Sequence, residues 1–514
     1  MKKLYLLLIL PVIIVSCSRE EDYSAGPQAN QGVVLVERPN SESVPQLPAL
    51  TREAIDAKIN QFMIERSDFR WQWMNLHQNW SAISHAGEFA IGYKPVHVKN
   101  VNEIIHTIDV QKGEWRAVHD ALIKLVLDEL NRNAENEIKA EDIIVEDDTD
   151  LPIIVFRLSN KEVITKLYNL ENVRYLEPMG YWPQMTENKS TSGCNASTEP
   201  LNTNDWTNIL PASLLPWNFN SVNIPDAWAT AQGQGIKIGL IDAGISASQT
   251  LLGNQFKDGY SNVNNRSVTA AYTFGSSSYT SCTHGTSMSG LAAGPRNAQN
   301  ATTGVAYKSS LYFVRGCEDV VLDLSSELSG VKNALVKLGK DKHTKIISMS
   351  IGTPFYSSVL YDGVSFAYNK GKMMFAAAGT SFGWTSWWGV IYPAAFSQCI
   401  TVTGVKENGA KCSSCHDGSQ VEFTIPMERD VNDSRNSLSL ALSGYAPTYI
   451  GGSSCATAIT AGIAAVVWSV KPSLSRTQIY TAMCNTAQFY PSKNSTKGWG
   501  NVNAAAAVAM AAGM

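Results

Sequence analysis

Charge is scarce in this 514-residue chain. Asp, Glu, Lys and Arg make up 17% of it, and 41 basic against 45 acidic side chains leave a net charge of −4. No whole-chain basic field argues for nucleic acid as a partner. With 44% apolar residues, disordered, fibrous and coiled-coil classes are excluded. Long apolar runs are missing as well: Leu4 to Val15 is too short to cross a bilayer as a permanent helix, and no other segment is apolar enough for long enough. There is no internal repeat. Histidine is rare after residue 200, where only His284, His343 and His416 occur. Length alone allows two or three domains.

The charge is unevenly spread. Residues 1–200 carry 20 basic and 29 acidic side chains, whereas 201–514 carry 21 and 16. This predicts a boundary near 200 between oppositely charged segments able to dock on each other. Residues 17–50, rich in Pro, Ser, Asn and Gln, read as a tether. Within 51–185, strand character over 88–98, 151–158 and 173–176 alternates with helical patterns. Glu114 to Leu130 puts Trp115, Val118, Leu122 and Val126 near one helical face, and Ser159 to Glu162 forms a capping box opening a second helix. A small α+β domain is expected. A Ser/Thr/Asn-rich linker (186–209) leads into 210–514, where apolar strands at 236–241, 311–314, 345–350, 372–378 and 399–405 alternate with helices. That pattern predicts an α/β unit, a parallel β-sheet with helices on both faces.

Lys2, Lys3, the apolar run and Ser16 carry the marks of an export signal over 1–16. Ile14-Val15-Ser16-Cys17 resembles a bacterial lipobox. This implies lipid on Cys17 and anchorage to the cell envelope, at the outer membrane or cell surface. The cluster Ser18 to Asp22 is similar to a surface-export tag. An exported compartment permits disulfides. Cys282 with Cys317, and a bridge involving the Cys412/Cys415 pair, are the candidates.

Three segments carry chemistry. Asp242, at the carboxyl end of a buried strand, sits where open α/β sheets hold their active sites; alone it reads equally as an Asp opening a turn before Gly244. His284 starts a helix of small residues, Thr283 to Gly290, and can face a cleft, whereas His343 lies in a solvated Lys-rich stretch. Ser454 follows Gly451 and Gly452 at the start of an apolar helix, where backbone N–H groups can hold an anion; a simple Ser N-cap is the plainer reading. Taken together they are in the order Asp, His 42 residues later, and Ser after a further 170. Serine alkoxide chemistry needs a base to take its proton and an acid to orient that base. The surroundings of Ser454 lack the G-x-S-x-G elbow of α/β-hydrolases.

These motifs resemble those of subtilisin-like serine proteases. Asp242 to Ile245, His284 to Gly290 and Gly452 to Ala458 are similar to the three family motifs. Pro216-Trp217, Ile224 to Trp228, Gly304 to Ala306, Ser350 to Gly352, Tyr392 to Ala394 and Gly498 to Asn503 accompany them. The likeness covers about 210–514, and the unit ending Arg174-Tyr175-Leu176-Glu177-Pro178-Met179 resembles the family's inhibitor-like propeptide. The resemblance implies an exported serine endopeptidase made as a zymogen, acting on proteins or peptides, with its own propeptide as a partner. It implies Ser454 as nucleophile, His284 as general base then acid, and Asp242 as the holder of its tautomer. Ser350-Ile351-Gly352 would pair with extended substrate, and Ala377-Ala378-Gly379 would wall the specificity pocket. No cofactor is read from the residues; the resemblance allows calcium, which often accompanies the family, but no metal-ligand set is readable.

The chain departs from the family at the second oxyanion donor. The usual Asn after A-A-G is Thr380, and losing one such donor costs roughly 10²–10³ in rate. Thr380 and Ser381 are the candidate replacements beside the Ser454 N–H. Ala458 and Ala243 replace other family residues without touching the proton relay. The alternative function is an inactive subtilase-fold surface lipoprotein that binds. Cys412-Ser413-Ser414-Cys415-His416 also fits covalent haem attachment, but a disulfide is the preferred reading. Cys455 reads as a small buried hydrophobe rather than a nucleophile. Processing is expected between about 180 and 205, leaving the catalytic part tethered or released according to whether the acidic unit stays bound.

Overall fold

The computed structural model describes residues 35–184, 193–380 and 389–514. The export signal, Cys17 and Ser381 lie outside the described residues. An N-terminal sheet pairs β1 (Phe89–Tyr93), β2 (Ile144–Asp147), β3 (Ile153–Phe156) and β4 (Val173–Pro178) in the antiparallel order β2-β3-β1-β4. A hairpin of β5 (Trp206–Ile209) and β6 (Ser213–Pro216) opens the larger unit. Its sheet contains β7 (Lys237–Asp242), β8 (Val268–Tyr272), β9 (Ser310–Arg315), β10 (Thr344–Met349), β11 (Met373–Ala377), β12 (Cys399–Lys406) and β13 (Val421–Glu428). The order is β13-β12-β11-β10-β7-β9-β8, and every pairing is parallel.

Strand periodicity divides this sheet between two cores. Ile238, Leu240 and Ile346 face the helices Thr283–Ala293 and Gly452–Val470, whereas Ile241, Ile347 and Met349 face Ser325–Lys340 and Ser358–Asn369. Each fully buried aliphatic chain contributes about 1.5–3 kcal/mol. Helices therefore cover both faces of a parallel α/β sheet. Contrary to the expectation that no segment beyond Val15 is apolar enough for long enough, Gly452–Val470 is long and apolar enough to cross a membrane, but it lies buried in this core. The strand order reverses at β7, whose neighbours β9 and β10 lie on opposite sides. The crevice beyond the carboxyl ends of β7 and β10 is where such sheets bind ligands.

The N-terminal sheet has two apolar faces as well. Phe89, Ile91, Ile154 and Phe156 pack under its own helices through Leu76, Ile83, Val118, Leu122 and Leu167. Ala90, Ile153, Val155 and Tyr175 pack instead on Val336, Val359 and Phe366 of the larger unit. Charge complementarity completes the contact. Asp362, 1% exposed, takes Arg174 through Nη1 and Nη2 and also accepts the Tyr175 hydroxyl at 3.0 Å and Asn102 Nδ2 at 2.7 Å. Lys332 is fully buried between Glu146, at 2.8 Å, and Asp148.

Several elements differ from expectation. Residues 35–50, expected within a tether, lie along the N-terminal unit: the Arg38 N–H donates to the Asn169 carbonyl, and Arg38 Nη2 to that of Val173. The second helix (Lys161–Tyr168) is capped not by Ser159 but by Asn160, whose side chain accepts the Val163 N–H at 2.9 Å. At the far end of the linker, Asp205 is buried and paired with Arg429 and Arg435, so this stretch is part of the larger unit.

One buried acid makes the docking pH-dependent. Glu177 Oε1 accepts the N–H groups of Ser358 and Val359 at 2.8 and 3.3 Å, at the start of the helix Ser358–Asn369. Burial nevertheless pushes the Glu177 carboxyl up to about 7, against the pull of those donors. Undocked and solvated, it titrates as an ordinary carboxylic acid. The docked state thus holds this proton more tightly, so the contribution of Glu177 to docking is fully present below its ordinary range and is lost as pH rises through about 7. Calorimetry of the Ser454→Ala chain at pH 5 and pH 8 is expected to show a lower transition for the N-terminal unit at pH 8, with Glu177→Gln reducing the difference. An equal pH response in both proteins contradicts this account.

Candidate active site

Asp242 ends β7, and His284 opens the helix Thr283–Ala293. Their meeting depends on a close backbone approach: a Cβ on Gly285 would lie 2.1 Å from the Gly244 carbonyl oxygen. His284 Nδ1 lies 2.8 and 3.0 Å from Asp242 Oδ1 and Oδ2, and Oδ1 also accepts the Ala243 N–H at 2.8 Å. A carboxylate has no proton to give, so Nδ1 carries the hydrogen; in the neutral imidazole this leaves the lone pair on Nε2. Asp242 is fully buried and His284 is 3% exposed, which strengthens their interaction relative to water.

Ser454 stands in the first turn of Gly452–Val470, where backbone N–H groups have no intrahelical acceptor. Gly452 has φ +77°, and a Cβ there would meet Thr380 Oγ1 at 2.6 Å, so the turn into the helix needs glycine. Ser454 Oγ donates to the Ser350 carbonyl at 3.3 Å, and Ser350 Oγ donates to the Ser454 carbonyl at 2.9 Å. Among the described residues no hydrogen bond joins Ser454 to His284, although both line one cleft. Thr380 and Ser453 line the same cleft, and Ser453 Oγ also accepts the Gly379 N–H at 3.1 Å.

The expected substrate strand is only partly available. Ser350, Ile351 and Gly352 line the cleft, but the Gly352 N–H donates to the Val320 carbonyl and its own carbonyl accepts the Leu322 N–H, both at 2.9 Å. The chain itself thus occupies the edge that Gly352 was expected to offer to substrate. Ala377 and Gly379 line the cleft, whereas the Ala378 N–H and carbonyl are committed to Val402 and Ile391. The linings from Val320, Ser413, Ser414, Glu428 and Asn436 carried no sequence signal, since only the tertiary fold brings these loops to Ser454.

One of the two disulfides differs from expectation. Cys282 bonds to Cys194 in the linker, not to Cys317, which is free and buried. The linker comes to the rim of the His284 helix, where the Thr283 N–H donates to the Cys194 carbonyl at 3.2 Å. Cys412 and Cys415 bond to each other, which consumes both thiols that haem attachment would use, and His416 Nδ1 bonds to the Gly389 carbonyl. Burial pushes the Cys455 thiol well above its ordinary range, in keeping with an inert core residue. His343 is exposed. Among the described residues no three His, Cys, Asp or Glu gather to hold a cation, so no calcium ligands are assigned.

The sequence profile described as the Subtilase family matches residues 233–500, which is more than half of the chain. The chain belongs to this family. It is 31% identical over 290 residues to thermitase of Thermoactinomyces vulgaris, covering 56% of this chain and 93% of that one. Over 261 residues it is also 31% identical to subtilisin DY of Bacillus licheniformis, covering 50% and 85%. Among solved structures, MycP1 of Mycobacterium smegmatis aligns at 18% identity and a TM-score of 0.47, over 61% of this chain and 88% of that one.

In this subtilase, Gly285→Ala is expected to destabilise the larger unit by about 1–3 kcal/mol, because helix and Asp242 loop must separate to admit the methyl group. Urea unfolding measures this; an unchanged midpoint would show that the approach tolerates a Cβ.

Proposed function

We propose that this subtilase is a serine endopeptidase in which Asp242, His284 and Ser454 act as one relay. The observation that carries this reading is the buried Asp242–His284 bond, which fixes the proton on Nδ1 beside the cleft that Ser454 shares. Rotation of the Ser454 side chain from the Ser350 carbonyl towards Nε2 completes the relay; catalytic hydrogen bonds often tighten only with substrate bound. His284 then takes the hydroxyl proton as Oγ attacks the scissile carbonyl, Asp242 stabilises the imidazolium, and the proton passes to the leaving amine. Water hydrolyses the acyl-enzyme by the same route. The Ser454 N–H and the Thr380 hydroxyl serve the oxyanion.

A fluorophosphonate probe is expected to label Ser454 in the protein freed of its N-terminal unit, and Ser454→Ala to abolish labelling. Asp242→Asn is expected to lower kcat by about 10⁴ through the wrong His284 tautomer. Absence of labelling would favour the alternative, an inactive binding module.

The N-terminal unit acts as the propeptide, and the precursor is exported and lipid-anchored through Cys17. Part of the expected processing window, 185–192, lies outside the described residues. Beyond it the chain is tied down by the Cys194–Cys282 bond, the Asn202 N–H bond to Tyr449 and the Asp205 ion pairs. Cutting therefore falls before Cys194, and the two pieces separate without reductant. Gel analysis with and without reductant tests this. Fragments that stay joined until reduced would put the cut after Cys194. In the same experiment, Cys17→Ser is expected to move the uncut chain out of the membrane fraction.

A further inference from the structure

Proton counting beside Ser454 leaves one hydroxyl hydrogen a single place to go. Ser453 Oγ is fully buried and accepts the Gly379 N–H at 3.1 Å; the other partner of this hydroxyl is Thr380 Oγ1, also at 3.1 Å. Thr380 Oγ1 in turn accepts the Ser453 N–H at 3.2 Å. A hydroxyl has one proton and two lone pairs. Were Thr380 the donor between them, both lone pairs of Ser453 Oγ would be filled. Its own proton would then be buried with no acceptor among the described residues, a state folded proteins avoid.

Ser453 is therefore the donor. Both lone pairs of Thr380 are then taken, by the Ser453 N–H and O–H, and the Thr380 proton is left to the third side. Thr380 is half-buried and lines the cleft with Ser454, so that side is the cleft. Accepting two hydrogen bonds also polarises the Thr380 O–H and makes it a better donor.

We propose that Ser453 is a positioning residue: it fixes the Thr380 hydroxyl as a one-way donor towards the oxyanion formed when Ser454 attacks. The proposal rests on the serine endopeptidase reading. It explains how a freely turning hydroxyl stands in for a side-chain amide, whose N–H directions are fixed by its plane. Gly452 belongs to the same device, since a Cβ there would meet Thr380 Oγ1 at 2.6 Å.

Peptide hydrolysis by the processed protein tests the proposal. Thr380→Val is expected to lower kcat by about 10²–10³ with KM nearly unchanged, the loss of a whole donor. Ser453→Ala is expected to lower kcat by about 10-fold, a fraction of that donor loss, again at constant KM. Ser453→Thr restores the rate. In the Thr380→Val background Ser453→Ala adds no further loss, which a merely structural role would not predict. Binding of a peptide boronate, a mimic of the tetrahedral oxyanion, weakens in step with kcat. Ser453→Cys keeps the volume with a weaker donor and falls between wild type and Ser453→Ala, which covers misfolding of the alanine variant. An unchanged kcat in Ser453→Ala, or losses that add in the double variant, overturns the proposal while fluorophosphonate labelling of Ser454 leaves the peptidase reading intact. Failure of labelling in the wild type overturns both.

Discussion

A carboxylate wholly removed from water is costly unless donors surround it, and Asp242 meets that cost with the Ala243 N–H and the His284 Nδ1–H. This bond sets much of the larger unit. It needs a strand that ends at the crevice, a helix whose first turn comes to that strand end, and a backbone bare enough to let the two touch at Gly244 and Gly285. The small residues of Thr283–Ala293 follow from this requirement, and that helix in turn packs on Gly452–Val470, which carries Ser454.

The other face of the sheet is organised for a partner within the same chain. Lys332 on one helix and Asp362 on its neighbour are both buried, and each takes its counter-charge from the N-terminal unit. Buried pairs of this kind contribute little net stability against a hydrophobic replacement, but breaking one by removing a partner costs several kcal/mol. They select the correct partner in the correct register. The contact is therefore specific and, through Glu177, more secure in mild acid than in mild base.

Much of this was legible in the sequence because it rests on local signals. The alternation of apolar strands and helices gave the parallel sheet, the segment from Val173 gave β4, and the Asp, His and Ser segments each stand at an element end. Long-range choices were not legible. Beyond Cys17, Cys282 had seven other cysteines to choose from, and only the path of the linker decides for Cys194. The edge at Gly352 reads as free in sequence because Val320–Leu322 bonds it through backbone groups that have no residue signature. The helices Arg52–Arg66 and Leu76–Ala86 and the strand β13 went unread. The first is only weakly amphipathic and draws its order from the aromatic cluster of Phe62, Phe69, Trp71 and Tyr181.

The pairing of Gly352 with Val320 and Leu322 gives the cleft a threshold. An incoming strand must first break two backbone hydrogen bonds before it gains any of its own at that position, so weakly held or short ligands leave the segment shut. A ligand opens it only when contacts elsewhere along the groove more than offset the exchange. In the resting molecule this segment is therefore closed by the chain's own backbone, although Ser454 beside it already borders the cleft.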